Sequence, residues 1–209
     1  MSTGAESRPR DRSAADLLGS FFTLRNLPNL LTLGRIAAIP LVVWLLHDPS
    51  PKTSAITFVV YLLATITDFL DGWIARKYHL VSALGQLLDP LADKLLVVSA
   101  LIMIAVADWT PTLPGWLLVL IIGRELAVTG LRSIAAAEGI VLGAEASGKL
   151  KMILQSIGVH GLIIHYTYLG VDFHAVGLFT LLASAVVGLW SAVEYHVIVF
   201  REMVKSGDS

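Results

Sequence analysis

An all-α membrane protein with six transmembrane helices is the fold this sequence predicts, and three observations predict it. Of 209 residues, 56% are hydrophobic and only 15% are charged, where a soluble domain carries about a quarter charged residues. Six apolar stretches, near 27–47, 54–75, 84–107, 115–137, 150–169 and 175–199, each approach the ~20 helical residues that cross a ~30 Å hydrocarbon layer. The basic residues between those stretches gather on one side.

Each element follows in order. A bilayer offers backbone groups no partner, so apolar spans close their own hydrogen bonds as helices. The mean hydropathy of +0.75 agrees with that solvent. At this length one domain is expected, covering residues 26–205. Residues 1–25 are polar, with no apolar core and no small-residue cleavage site, so a cytoplasmic tail is expected rather than a signal peptide. Within it, Ala14–Leu24 is a candidate short helix lying along the membrane surface.

An even number of spans puts both termini on one side, together with the second-to-third and fourth-to-fifth connections. That side collects Arg8, Arg10, Arg12, Arg25, Arg76, Lys77, Lys149, Lys151, Arg201 and Lys205, whereas the opposite connections hold Lys52 alone. The positive-inside bias therefore places both termini in the cytoplasm. The chain has no cysteine, which excludes disulfides and thiolate chemistry and leaves oxygen or imidazole for any metal.

A chain this poor in charge nevertheless puts Arg35, Asp68, Asp71, Asp89, Asp93, Lys94, Arg124 and Glu125 within or beside its apolar stretches. Ionisable groups at such depth are costly unless paired or hydrated, so they mark function by default. An interhelical ion pair accounts for any one of them equally well. It does not account for four aspartates within 26 residues, which repel one another unless a cation lies among them. Asp68 and Asp71 are three apart, Asp89 and Asp93 four apart, so each pair shares one helical face. The basic stretch Gly72–Leu80 suits a cytoplasmic turn that brings the two faces together. Hard oxygen ligands of this number suit Mg²⁺ or Mn²⁺. Gly72, Ala75 and Gly85 fall on the same strip, where small residues admit a ligand or a tightly packed helix.

The run Asp68-Phe-Leu-Asp71-Gly72-Trp-Ile-Ala75-Arg76, eight residues, Gly85-Gln-Leu-Leu-Asp89-Pro-Leu-Ala-Asp93 resembles the signature of the CDP-alcohol phosphotransferases. All eight fixed positions of that pattern, D-x₂-D-G-x₂-A-R-x₈-G-x₃-D-x₃-D, are filled. The resemblance implies a six-helix fold, a homodimer in the bacterial cytoplasmic (inner) membrane, and a site open to the cytoplasm. It implies CDP-diacylglycerol as donor, two metal ions held by Asp68, Asp71, Asp89 and Asp93, and Asp93 as general base. Spacing alone does not separate the four aspartates. Gly72, Ala75, Arg76 and Gly85 would line the cytidine diphosphate, with Asn29, Thr32 and Arg35 closing the pocket from the first helix.

Three further segments carry the acceptor. Asn26-Leu-Pro-Asn29-Leu-Leu-Thr32-Leu-Gly-Arg35, Gly123-Arg124-Glu125-Leu-Ala-Val-Thr129-Gly-Leu-Arg132-Ser133 and Gly148-Lys149-Leu-Lys151 resemble the family members that use sn-glycerol 3-phosphate. The residues agree: Arg124, Arg132, Lys149 and Lys151 supply the cationic groups an anionic acceptor needs. Topology alone accounts for Lys149 and Lys151, but not for Arg124, which lies well inside its stretch. Glu125 is available to pair with an arginine. Another acceptor (phosphatidylglycerol, serine or inositol phosphate) is the alternative within the family, and a divalent-cation transporter the alternative outside it. Carboxylates beside a cytoplasmic turn favour chemistry over a midplane transport site. The six histidines are read as packing or interface residues and the five tryptophans as interfacial anchors, so no nucleic-acid partner is expected.

Overall fold

The computed structural model describes residues 27–78, 83–107, 109, 112–140 and 146–207. Among these are six helices: α1 Leu27–His47, α2 Pro51–Tyr78, α3 Ala83–Val106, α4 Gly115–Ala137, α5 Ala146–Ile164 and α6 Phe173–Gly207. A short antiparallel pair, β1 Thr167–Tyr168 and β2 Val171–Asp172, joins the last two. The expected tail and its surface helix, residues 1–25, lie outside the described residues.

Local chemistry sets the helix ends. Ser50 precedes Pro51, which already has the φ of a first helical residue. The Thr53 amide donates to Ser50 Oγ at 3.2 Å and the Ser50 amide to Thr53 Oγ1 at 2.7 Å, a reciprocal cap. Helix α4 ends where Gly139 takes φ +74°, with its amide on the Ala136 carbonyl and the Ile140 amide on that of Ala135.

The stretch expected at 150–169 is cut short, and the one expected from 175 starts early. His165 takes φ 61°, which ends α5 at Ile164. Leu169 and Gly170, with φ 53° and 79°, then turn the strand pair. Asp172 Oδ1 accepts the Ala175 amide at 3.0 Å and caps α6.

Among the described residues two helices, over Asn29–His47 and Phe173–Val204, are long and apolar enough to cross a membrane. The four between them carry most of the carboxylates and cations singled out above. Large apolar side chains face outward, among them Trp44, Trp116, Phe179, Trp190 and Phe200. Such an outer surface suits lipid rather than water.

The main core joins all six helices and includes Leu46, Tyr61, Leu101, Leu117, Leu162 and Leu181. All lie toward the ends of the helices that meet the 48–50 and 165–172 connections. A smaller cluster, Val128, Ala135, Ala192, Tyr195 and Val199, joins α4 to α6 at the other end. Polar residues occupy the space left between these clusters.

Helices α5 and α6 approach closely enough to touch through backbone. A β-carbon on Gly177 would stand 2.6 Å from the Leu162 nitrogen, and one on Gly161 would stand 2.8 Å from the Gly177 α-carbon. Neither backbone can yield without separating the helices. Gly177→Ala and Gly161→Ala should each cost about 1–3 kcal/mol, read as a lower melting temperature in detergent. Gly130→Ala, with nothing within 4 Å of the added carbon, should leave it unchanged or raise it. Equal behaviour of the three variants would remove the close crossing as a stabilising contact.

Candidate active site

Two residues of α1 organise the carboxylates. Thr32 and Arg35 are three apart on one face, both about 1% exposed. The Arg35 guanidinium meets Asp68 of α2 at 2.7 Å, and the Thr32 hydroxyl donates to Asp89 of α3. One turn of α1 thus draws an acidic residue from each neighbouring helix toward the same place. The structure places Thr32 and Arg35, expected at the site from the first helix, against Asp89 and Asp68. Asn29 lies one turn earlier and is also engaged.

Asp68 and Asp93 face a cavity of about 600 Å³ whose other wall carries Arg124, Arg132, Lys149 and Lys151. The structure therefore brings two of the four expected carboxylates, Asp68 and Asp93, to one space with the expected cations. Helix periodicity does this on each wall. On α4, residues 124/125, 128/129 and 132/133 recur at one-turn intervals, and on α5 Lys151 and Gln155 are four apart.

The cations have unequal surroundings. Arg124 donates from Nε to the Gly188 carbonyl at 3.0 Å, from Nη1 to Glu125 at 2.9 Å and from Nη2 to Ser191 Oγ at 3.4 Å. Lys151 pairs with the same Glu125 oxygen. Two cations share one carboxylate, and the Arg124 fork is committed to α6. Arg132 stands 5.5 Å over the ring of Tyr195, a contact that fixes its plane without using its N–H donors. Lys149 is exposed at the rim. Among the described residues no carboxylate pairs with Arg132 or Lys149.

Several cavity residues escaped the sequence reading as site residues. Lys94 donates to Thr129 Oγ1 at 2.6 Å, which ties α3 to α4. Gln155, Thr65 and Tyr61 line the cavity floor. Counting one turn on from Lys151 would have found Gln155, and one or two turns back from Asp68 would have found Thr65 and Tyr61. The histidines also hold a surprise: His165 and His174 approach to 2.9 Å between ring nitrogens in the α5–α6 connection. The eight residues between them gave no periodic signal.

Asp71, Gly72, Ala75 and Arg76 fall on α2 and Gly85 on α3, but their side chains lie outside the described residues. Among the described residues no three acidic or imidazole groups converge as a metal cluster. The donor chemistry at hand fits a hard divalent cation, since Asp68, Asp89 and Asp93 offer only carboxylate oxygens.

An apolar helical bundle with carboxylates facing cations across one interior cavity defines a membrane-associated enzyme that handles anionic groups. The sequence profile of the CDP-alcohol phosphatidyltransferases matches residues 25–200. The chain belongs to that family, whose members are membrane-bound and generally use divalent metals. A CDP-diacylglycerol–glycerol-3-phosphate 3-phosphatidyltransferase of Bacillus subtilis is 38% identical over 185 residues, 83% of this chain and 90% of the relative. A protein of the same name from Rickettsia bellii is 40% identical over 139 residues, 66% of this chain and 75% of its own. One from Arabidopsis thaliana, bearing that name with the number 2, is 35% identical over 193 residues, 86% and 82% of the two chains.

Breaking a buried pair strands the remaining charge, at a cost of about 3–5 kcal/mol. Glu125→Gln should therefore lower thermal stability sharply, because Arg124 and Lys151 then face each other uncompensated. Adding Lys151→Met should recover part of the loss, since only one cation then remains. If Glu125→Gln melts with the parent, Glu125 is not the shared counter-ion.

Proposed function

We propose that this chain transfers the phosphatidyl group of CDP-diacylglycerol to sn-glycerol 3-phosphate, giving phosphatidylglycerophosphate and CMP. The observation that carries this reading is one cavity lined by Asp68 and Asp93 from α2 and α3 and by Arg124, Arg132, Lys149 and Lys151 from α4 and α5. The first group suits a metal-bridged diphosphate and the second an anionic acceptor. The names of the relatives support the same donor and acceptor.

Asp68, Asp71, Asp89 and Asp93 would hold Mg²⁺ or Mn²⁺, two ions in this proposal. Bound there, the metal neutralises the diphosphate and stabilises the leaving phosphate. Gly72, Ala75, Arg76 and Gly85 border the cytidine diphosphate, and Arg35 and Thr32 fix Asp68 and Asp89 against it. On the opposite wall Arg132 and Lys149 receive the acceptor phosphate, while Arg124 and Lys151, joined through Glu125, set its position and add a net positive charge. The primary hydroxyl gives its proton to the Asp93 carboxylate as its oxygen bonds to the phosphatidyl phosphorus. The bond from that phosphorus to the CMP oxygen breaks, and CMP leaves with the electron pair. Six membrane-spanning helices, both termini and the cavity mouth in the cytoplasm, and two copies paired in the bacterial inner membrane complete the reading. The outward apolar faces support it.

Purified protein assayed with CDP-diacylglycerol against a panel of alcohols tests the proposal. CMP release should require glycerol 3-phosphate and a divalent cation, cease on chelation and return with Mg²⁺ or Mn²⁺. Plain glycerol or serine serving equally well would refute the acceptor assignment. Asp93→Asn should lose turnover while keeping the KM for CDP-diacylglycerol, because the amide keeps the shape but accepts no proton. Near-parental turnover of that variant would place the base elsewhere.

Arg132→Ala should raise the KM for glycerol 3-phosphate about tenfold or more and leave that for CDP-diacylglycerol little changed, since a charge-assisted contact is worth about 1.5–3 kcal/mol. Arg132→Lys should recover part of it, as a point charge lacks the fork. Both substrates weakening alike would make Arg132 structural.

A further inference from the structure

Gln155 is a buried polar residue that the reaction described above leaves without a role. It is 6% exposed, lines the cavity that holds Asp93 and Lys151, and its amide oxygen has no hydrogen-bond partner among the described residues. Buried side-chain amides rarely go unpartnered, because desolvation without a hydrogen bond is costly. Its neighbours do not relieve it: Ser184 donates to the Lys151 carbonyl, and His160 is engaged with the Ser156 carbonyl at 2.7 Å.

Its position says what it awaits. Gln155 lies four residues beyond Lys151 on the same face of α5, about 6 Å along the helix. Counted from the starts of their helices, Ala83 and Ala146, Asp93 and Gln155 lie ten and nine residues in, about 14–15 Å along each helix at ~1.5 Å per residue, and both line the cavity. An acceptor with its phosphate at the cationic wall and its reacting hydroxyl at Asp93 spans that interval with three carbons. The middle carbon carries the one remaining polar group, a secondary hydroxyl. A hydroxyl both donates and accepts, and an amide end offers one of each whichever way it is turned.

We propose that Gln155 is a specificity residue that binds the 2-hydroxyl of the glycerol 3-phosphate acceptor, an assignment that rests on the acceptor reading above. It holds the three-carbon chain so that the primary hydroxyl, rather than the secondary one, faces Asp93. A site that leaves a buried amide unpaired discriminates against an acceptor lacking the hydroxyl.

The test uses the full chain in mixed micelles of detergent and CDP-diacylglycerol. Two acceptors are compared: glycerol 3-phosphate and 3-hydroxypropyl phosphate, which keeps the phosphate and primary hydroxyl and lacks the 2-hydroxyl. The parent should favour glycerol 3-phosphate by about ten- to a hundredfold in kcat/KM. Gln155→Met fills similar space without the amide. It should bring the two acceptors to within about twofold of each other by weakening glycerol 3-phosphate alone, with KM for CDP-diacylglycerol unchanged. Gln155→Asn, whose amide ends one methylene short, should give an intermediate preference and serves where the methionine variant fails to fold. A preference kept in both variants, or absent from the parent, overturns the role of Gln155. Failure of the parent to use glycerol 3-phosphate while another alcohol is phosphatidylated overturns the acceptor reading itself, and this assignment with it.

Discussion

A carboxylate moved from water into a helix bundle is stable only where cations meet it, and Glu125 meets two. Arg124 reaches it from the same helix and Lys151 from α5. Because the Arg124 fork also holds the Gly188 carbonyl and Ser191 of α6, this one acidic group links three helices. The price of an isolated charge at this depth makes the linkage strict: moving any of the helices leaves an ion without its partner. The basic wall of the cavity is built on that constraint.

The acidic wall follows the same logic from the other side of the bundle. Arg35 is buried completely, and its partner Asp68 comes from the next helix. Thr32, one turn away, holds Asp89. Helix α1 contributes no carboxylate of its own, yet it fixes where two of them stand. Preorganisation of this kind matters for phosphoryl chemistry, in which positioning and electrostatics supply most of the catalytic effect. The apolar cluster at the far ends of the helices leaves the inner space to polar groups. The close glycine contact of α5 with α6 brings Lys151 near Gly188, where a β-carbon would meet its Cγ at 3.2 Å. Stability and site thus share residues on the basic wall.

Much of this was legible in the residues. All six apolar stretches became helices, with ends up to eight residues from those expected, because a span of that length and apolarity has one way to satisfy its backbone. Asp68 and Asp93 came to the same cavity as Arg124, Arg132, Lys149 and Lys151, in keeping with their helical spacing. The errors sit at ends. His165 was counted inside a span, and nothing in its apolar surroundings announced the left-handed backbone that stops α5. Gln155 went unnoticed because one amide, next to Ser156 and a turn beyond Lys151, matches no motif by itself.

Sequence by itself determined the apolar composition, the helices and the family, since each depends on composition or on spacing along one chain. Only the tertiary structure decided which cation meets which anion. Arg35 went to Asp68, Arg124 and Lys151 to a common glutamate, and Arg132 to an aromatic face. Coulombic attraction is indifferent to sequence separation and falls with distance. The pairing is therefore set by how the helices pack, which periodicity along any one of them does not contain.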